Sequence, residues 1–165
     1  MHLTAIFNVH SFHDLIYSNM KTRLLLLVGV IVWSISLQAQ DLGTFLDKSD
    51  AFFRTYVRDN RVDYAAVKKN PALLDKLVDF IETAKVGDYT KEEYMSFGIN
   101  SYNLLVIKTV VDNYPMTSPL EVSGFFDGIK VTVAGKKTTL NNYEKKELLQ
   151  RYKDGRLHFV LVCAA

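Results

Sequence analysis

The sequence predicts an α+β domain with a helical N-terminal half built around a buried central helix. Short strands enter in the C-terminal half and form an incomplete sheet. Three observations lead there. Residues 90–113 open on a capping motif and are apolar on nearly every side. The segments before them repeat apolar residues at helical spacing, and those after 128 alternate or run continuously apolar between glycine turns. With 165 residues, 48% of them hydrophobic, the chain has room for one ordinary core.

The N-terminus reads as an export signal. Met20-Lys21-Thr22-Arg23 is a short basic start, residues 24–37 contain no charge, and small and polar residues follow around Ala39-Gln40. The apolar run is shorter than the ~20 residues a membrane span requires, so cleavage after Ala39 is expected, leaving no stable membrane anchor. Residues 1–19 lack a basic start and a clear period, which marks them as upstream sequence before the true start at Met20. The expected organisation is therefore a spurious extension at 1–19, a signal peptide at 20–40 and a single globular domain over 41–165.

Within that domain, Leu42, Phe45, Leu46, Phe52, Phe53, Tyr56 and Val57 fall near a 3.6-residue period and predict a helix over 41–58, ended by Asp59-Asn60. Pro71 suits a helix's first turn. A second helix over 72–85 should turn Leu73, Leu74, Leu77, Val78 and Ile81 inward. Gly87-Asp88 breaks it. Thr90-Lys91-Glu92-Glu93 is a capping box opening the central helix, which Tyr114-Pro115 ends in an extended exit. Residues 117–126 read as loop. Residues 129–134 alternate as a strand, with a short partner at 137–139 after a turn at Gly135-Lys136. Asn141 and Glu144 resemble a second capping box, for a helix over 142–152. Residues 157–165 form a continuous apolar run, which reads as a buried strand.

Charge and composition exclude several partners. Removing residues 1–40 takes away Lys21, Arg23 and Asp14 and leaves 18 basic against 17 acidic side chains. Such a balance gives no electrostatic reason to bind nucleic acid or an anionic membrane. Cys163 is the only cysteine, so no intrachain disulfide is available, and His158 is the only histidine after residue 40. No cluster supplies the ligands of a zinc site, so no metal is expected. Nothing in the sequence calls for a cofactor.

Four residues stand out as candidates for chemistry. Asn100 and Asn103 lie three apart on one face of the central helix. They either tie that helix to neighbouring backbone or orient a substrate in a cleft, and both should be buried and hydrogen-bonded. His158 is a base or a core histidine. Cys163 is a nucleophile or a small buried hydrophobe. On a regular strand these last two, five apart, would point to opposite faces. Glu144 most simply caps its own helix, and Tyr102 and Tyr114 read as core or boundary aromatics.

Several blocks resemble the family known as domain of unknown function 547. They are Val62-Asp63-Tyr64-Ala65-Ala66-Val67; Phe97-Gly98-Ile99-Asn100-Ser101-Tyr102-Asn103-Leu104-Leu105; Asp112-Asn113-Tyr114-Pro115; Val133-Ala134-Gly135; Leu140 through Glu144; and Arg156-Leu157-His158-Phe159-Val160-Leu161-Val162-Cys163-Ala164. The resemblance spans roughly 61–165 and implies an exported bacterial protein. Gly98 departs from the family's aromatic residue at that place, a weak point worth ~1 kcal/mol in helix propensity. Lys145 departs from its histidine. Family members also continue beyond the cysteine block, so the chain is expected to hold the N-terminal part of the domain and to be inactive as such. The asparagine, histidine and cysteine blocks imply, as one alternative, a papain-like thiol-dependent hydrolase or transferase. In it Cys163 would be nucleophile, His158 base or support, and Asn100 or Asn103 orienters. The other alternative is a non-catalytic periplasmic binding module.

Overall fold

The computed structural model describes residues 41–161. The expected export signal at 20–40, the stretch 1–19 and residues 162–165, Cys163 among them, lie outside the described residues. Helix α1 (Leu42–Tyr56) starts at Asp41, whose carboxylate accepts the Thr44 N–H at 2.7 Å. Its buried residues Phe45, Ser49 and Phe52 recur at helical spacing. The expected stop at Asp59-Asn60 proves to be a hairpin turn joining β1 (Val57–Arg58) to β2 (Arg61–Val62). Both turn residues have positive φ, 48° and 60°, which Asp and Asn tolerate better than other side-chain-bearing residues. Strand pairing thus also occurs in the first half, where the helical period had hidden it. Helix α2 (Tyr64–Lys69) follows, capped by Asp63. From it Lys68 Nζ reaches across to donate to the Val111 carbonyl at 2.8 Å.

Helix α3 (Ala72–Thr83) buries Leu74, Leu77, Phe80 and Ile81. Leu73 and Val78, also expected inward, are half-buried. The central helix α4 (Lys91–Asn113) keeps the predicted start and end. Thr90 accepts the Glu93 N–H, the Glu93 carboxylate accepts the Thr90 N–H, and Tyr114 leaves in extended conformation through a cis bond to Pro115. Three phenyl rings join α1, α3 and α4. Phe45 stacks on Phe80 at 4.7 Å between centroids, and Phe97 meets them at 5.6 and 6.3 Å. Burying each such ring stabilises the fold by about 1.5–3 kcal/mol.

After a 3₁₀ turn at Pro119–Glu121, strands β3 (Val131–Val133) and β4 (Lys136–Thr138) form a second antiparallel hairpin. Its turn is Ala134-Gly135, and the amides of those two residues donate to the Ile81 and Glu82 carbonyls at 2.8 and 2.7 Å. The hairpin therefore satisfies carbonyls that the end of α3 would leave open. The two sheets have two strands each and neither closes.

The last helical stretch differs from its prediction in its cap. It begins at α5 (Leu140–Asn142) with Thr139, not Asn141, as the capping residue, the Thr139 hydroxyl accepting the Asn142 N–H at 3.2 Å. Its middle, Tyr143–Leu149, is a π-helix, and α6 (Gln150–Tyr152) completes it. The π-helical stretch faces α4 at Gly98. A Cβ there would lie 2.4 Å from Leu148 Cδ2, so Leu148 fills the space a larger residue would need. Gly98 is a close-approach position rather than a mere weak point.

The expected strand over 157–165 is overturned where the chain is described. Leu157–Val160 is a helical turn, α7. Leu157 and Leu161 are buried four residues apart, while Phe159 is 89% exposed. Asp154 sets the turn, its carboxylate accepting the Arg156 N–H and its carbonyl the Leu157 N–H. A continuous apolar run cannot by itself distinguish the two structures, and here the turn residue before it decides.

Candidate functional site

The polar residues of α4 fall into two sets. Asn100 and Asn103 are half-buried rather than fully buried. Asn100 Nδ2 donates to the Ser96 carbonyl of its own helix at 2.8 Å, a bond that binds no other element. Asn103 Nδ2 donates to the Val160 carbonyl at 2.9 Å, across 57 residues. It thereby pins α7, the turn bearing His158, against the central helix. His158 itself is exposed, and its imidazole is hydrogen-bonded to no described residue. The structure thus brings Asn103 to the histidine-bearing turn and gives Asn100 a local role. The strand geometry that set His158 and Cys163 on opposite faces does not apply to a helical turn, and Cys163 lies outside the described residues.

The second set was read differently from the sequence. Tyr102 is fully buried, and its hydroxyl donates to Glu144 Oε2 at 3.0 Å. Glu144 therefore does not cap its own helix; Thr139 does that, and the carboxylate is held by the central helix instead. A signal was available. A buried tyrosine hydroxyl requires a partner, and Tyr102 lies in the helix whose sequence marks it as buried on most sides.

Glu144 lines a groove of about 450 Å³ between the 119–127 segment and the start of α5. Leu120, Val122, Phe125 and Phe126 make its apolar wall, and Asp127 and Asn141 add polar groups. The Asn141 N–H donates to the Phe126 carbonyl at 2.8 Å, tying loop to helix. The loop is also closed on itself. The Gly124 carbonyl accepts the amides of Gly128 and Ile129 at 2.7 and 2.8 Å, and a Cβ at Gly124, where φ is +70°, would come within 3.0 Å of Gly128 Cα. The groove wall is therefore fixed by backbone contacts.

Two other features bear on chemistry. The Tyr143 phenol, buried between α4 and the π-helix, is pushed well above the ordinary tyrosine range by desolvation, with Tyr94 and Glu147 adding to the effect. It stays protonated at any physiological pH. Among the described residues no three His, Cys, Asp or Glu side chains are grouped as a metal site requires, and no helix is long and apolar enough to cross a membrane.

No curated protein and no solved structure matches the chain. A family model matches residues 86–165, from the approach to α4 onward, so the block at Val62–Val67 lies outside the matched stretch. In that stretch, which contains α4, both sets of polar residues and the groove, the chain is similar to the family described as "Protein of unknown function, DUF547".

Proposed function

We propose that the protein is exported from a bacterial cell to the periplasm or beyond, and that its folded domain is a non-catalytic ligand-binding module. The observation behind the binding reading is the Tyr102–Glu144 bond at the groove. A fully buried phenol on the central helix holds a carboxylate at the edge of an apolar depression, the combination by which small-molecule sites fix orientation. Both asparagines meanwhile donate to backbone carbonyls, as a structural role requires. The test is ligand-dependent melting of the protein and its Cys163→Ser and Glu144→Gln variants over a panel of small metabolites. A ligand of the folded state raises the melting temperature by mass action. The shift should survive in Cys163→Ser and shrink in Glu144→Gln.

A second reading rests on the Asn103–Val160 bond, which places the turn leading toward Cys163 beside the central helix. There the protein is a thiol-dependent hydrolase or transferase with Cys163 as nucleophile and His158 as base. Substrate turnover abolished by Cys163→Ser would replace the first reading with this one. Export is tested separately, by N-terminal sequencing of protein recovered outside the cytoplasm. A terminus near Gln40 is expected, from the order of basic, apolar and small residues in 20–40; an intact Met20 or Met1 would refute it.

A further inference from the structure

The groove beside Glu144 has a charge as well as a shape, and both narrow what it accepts. Two carboxylates line it, Glu144 and Asp127, and no lysine or arginine does. Tyr102 occupies Oε2 of Glu144 and fixes the direction of the group, while Oε1 has no hydrogen-bond partner among the described residues. The rest of the lining is apolar, with Phe125 and Phe126 in an edge-to-face pair at 4.7 Å. A carboxylate beside apolar walls is partly stripped of water and favours a charged donor over a neutral one, and an aromatic face adds attraction for a cation.

Resting on the binding reading above, we infer that this groove takes a primary ammonium carried on a short apolar stem, the chemistry shared by a free alkyldiamine and a lysine side chain. The ammonium meets Glu144 Oε1, with Asp127 at the open side. The stem lies against Leu120, Val122 and Phe126. The backbone contacts that close the loop at Gly124 and tie Phe126 to Asn141 mean that the groove exists before the ligand arrives, which limits the ordering cost of binding.

The experiment is calorimetric titration of the full chain with four probes: cadaverine, Nα-acetyl-lysine amide, its Nε-acetylated neutral counterpart, and glutarate as an anion of similar length. The amines should bind, and the neutral and anionic probes should bind at least about tenfold more weakly, the scale of one charge-assisted hydrogen bond. Preference for cadaverine over the lysyl probe identifies a free diamine as the source, and the reverse order identifies a lysine side chain. Glu144→Gln, which keeps an acceptor for Tyr102, should lose about tenfold in amine affinity. Leu120→Lys alters a residue that is 85% exposed, so folding is undisturbed while the new side chain competes for the groove; it should also abolish amine binding. Failure of both amines to bind, or equal binding of amine and neutral probe, overturns the inferred ligand class. If only the neutral or anionic probe binds, and Glu144→Gln weakens it, the class is wrong and the binding-module reading stands. If every probe that binds does so equally to both variants, the groove is not the site and both readings fall.

Discussion

A glycine and two asparagines show how single residues are used on the central helix. Gly98 gains nothing from its own conformation there; an alanine would suit a helix better by about 1 kcal/mol. What it offers is room for Leu148, which is fully buried and stands 2.4 Å from where a Cβ would be. Overpacking a filled core costs about 1–3 kcal/mol, more than the propensity gain. Gly98→Ala should therefore destabilise the protein by up to about 2 kcal/mol in urea unfolding. In a Leu148→Val background the same change should cost less, since the opposing methyl has gone. A stabilised Gly98→Ala protein with Leu148 intact would sink this account. The asparagines divide by what they hold. Asn100→Leu removes a bond within one helix, whereas Asn103→Leu removes the bond to Val160 and leaves that carbonyl without its donor, a loss of about 1 kcal/mol or more.

At the scale of elements, legibility followed the strength of local punctuation. Helices α1 and α3 were readable from their apolar period, and α4 most completely, because cap and stop agreed there, with Thr90 and Glu93 exchanging hydrogen bonds. The β1–β2 hairpin was hidden because its strands are two residues long and its turn uses Asp59 and Asn60 instead of glycine. The π-helix was unreadable because no local residue pattern marks it, and the contact of its Leu148 with Gly98 joins segments distant in sequence. Turn α7 was misread because apolar composition outweighed Asp154. In the site, the asparagines were recognised by residue type, but the partner of Glu144 could not be, since Tyr102 lies 42 positions away. Asp154 also gives α7 a pH dependence. Hydrogen bonds from the Arg156 side chain, then from its backbone amide, lower the Asp154 carboxyl to about 2. A carboxylate lowered on folding contributes stability that is fully present above its unfolded value of 3.8 and is lost as pH falls through the folded one. The turn should persist at pH 4 and loosen toward pH 2. Amide shifts of Arg156 and Leu157 followed by NMR check this, and Asp154→Asn should remove the transition. A transition centred at the ordinary carboxylate value would show that the pair does not form.

Across the whole molecule, the core is organised by α4, which receives α1 and α3 through the Phe45, Phe80 and Phe97 rings, α2 through Lys68, and the π-helix at Gly98. The DUF547 match begins just before this helix, so the family's stretch contains the organising element while α1 to α3 supply one side of its cover. The groove sits on the later part, where a loop closed by Gly124 meets α5. The placement of Glu144 at the groove therefore requires the central helix to be in place, because Tyr102 is what holds it.

The bond between Asn103 and Val160 has a kinetic meaning as well. It closes a loop of 57 residues, and long loops form late because their entropy must be lost before the contact is gained. The helices and their aromatic rings provide nearer contacts from which a nucleus can grow. Docking of the 157–161 turn then belongs to the downhill side of the folding barrier. Weakening it should leave the refolding rate of Asn103→Leu close to that of the parent and raise the unfolding rate, so that only one limb of the chevron moves. A slowed refolding limb would instead place this turn in the nucleus. On the expected order, the histidine-bearing turn is the first part of the described fold to let go, detaching while the three-helix aromatic core is still assembled.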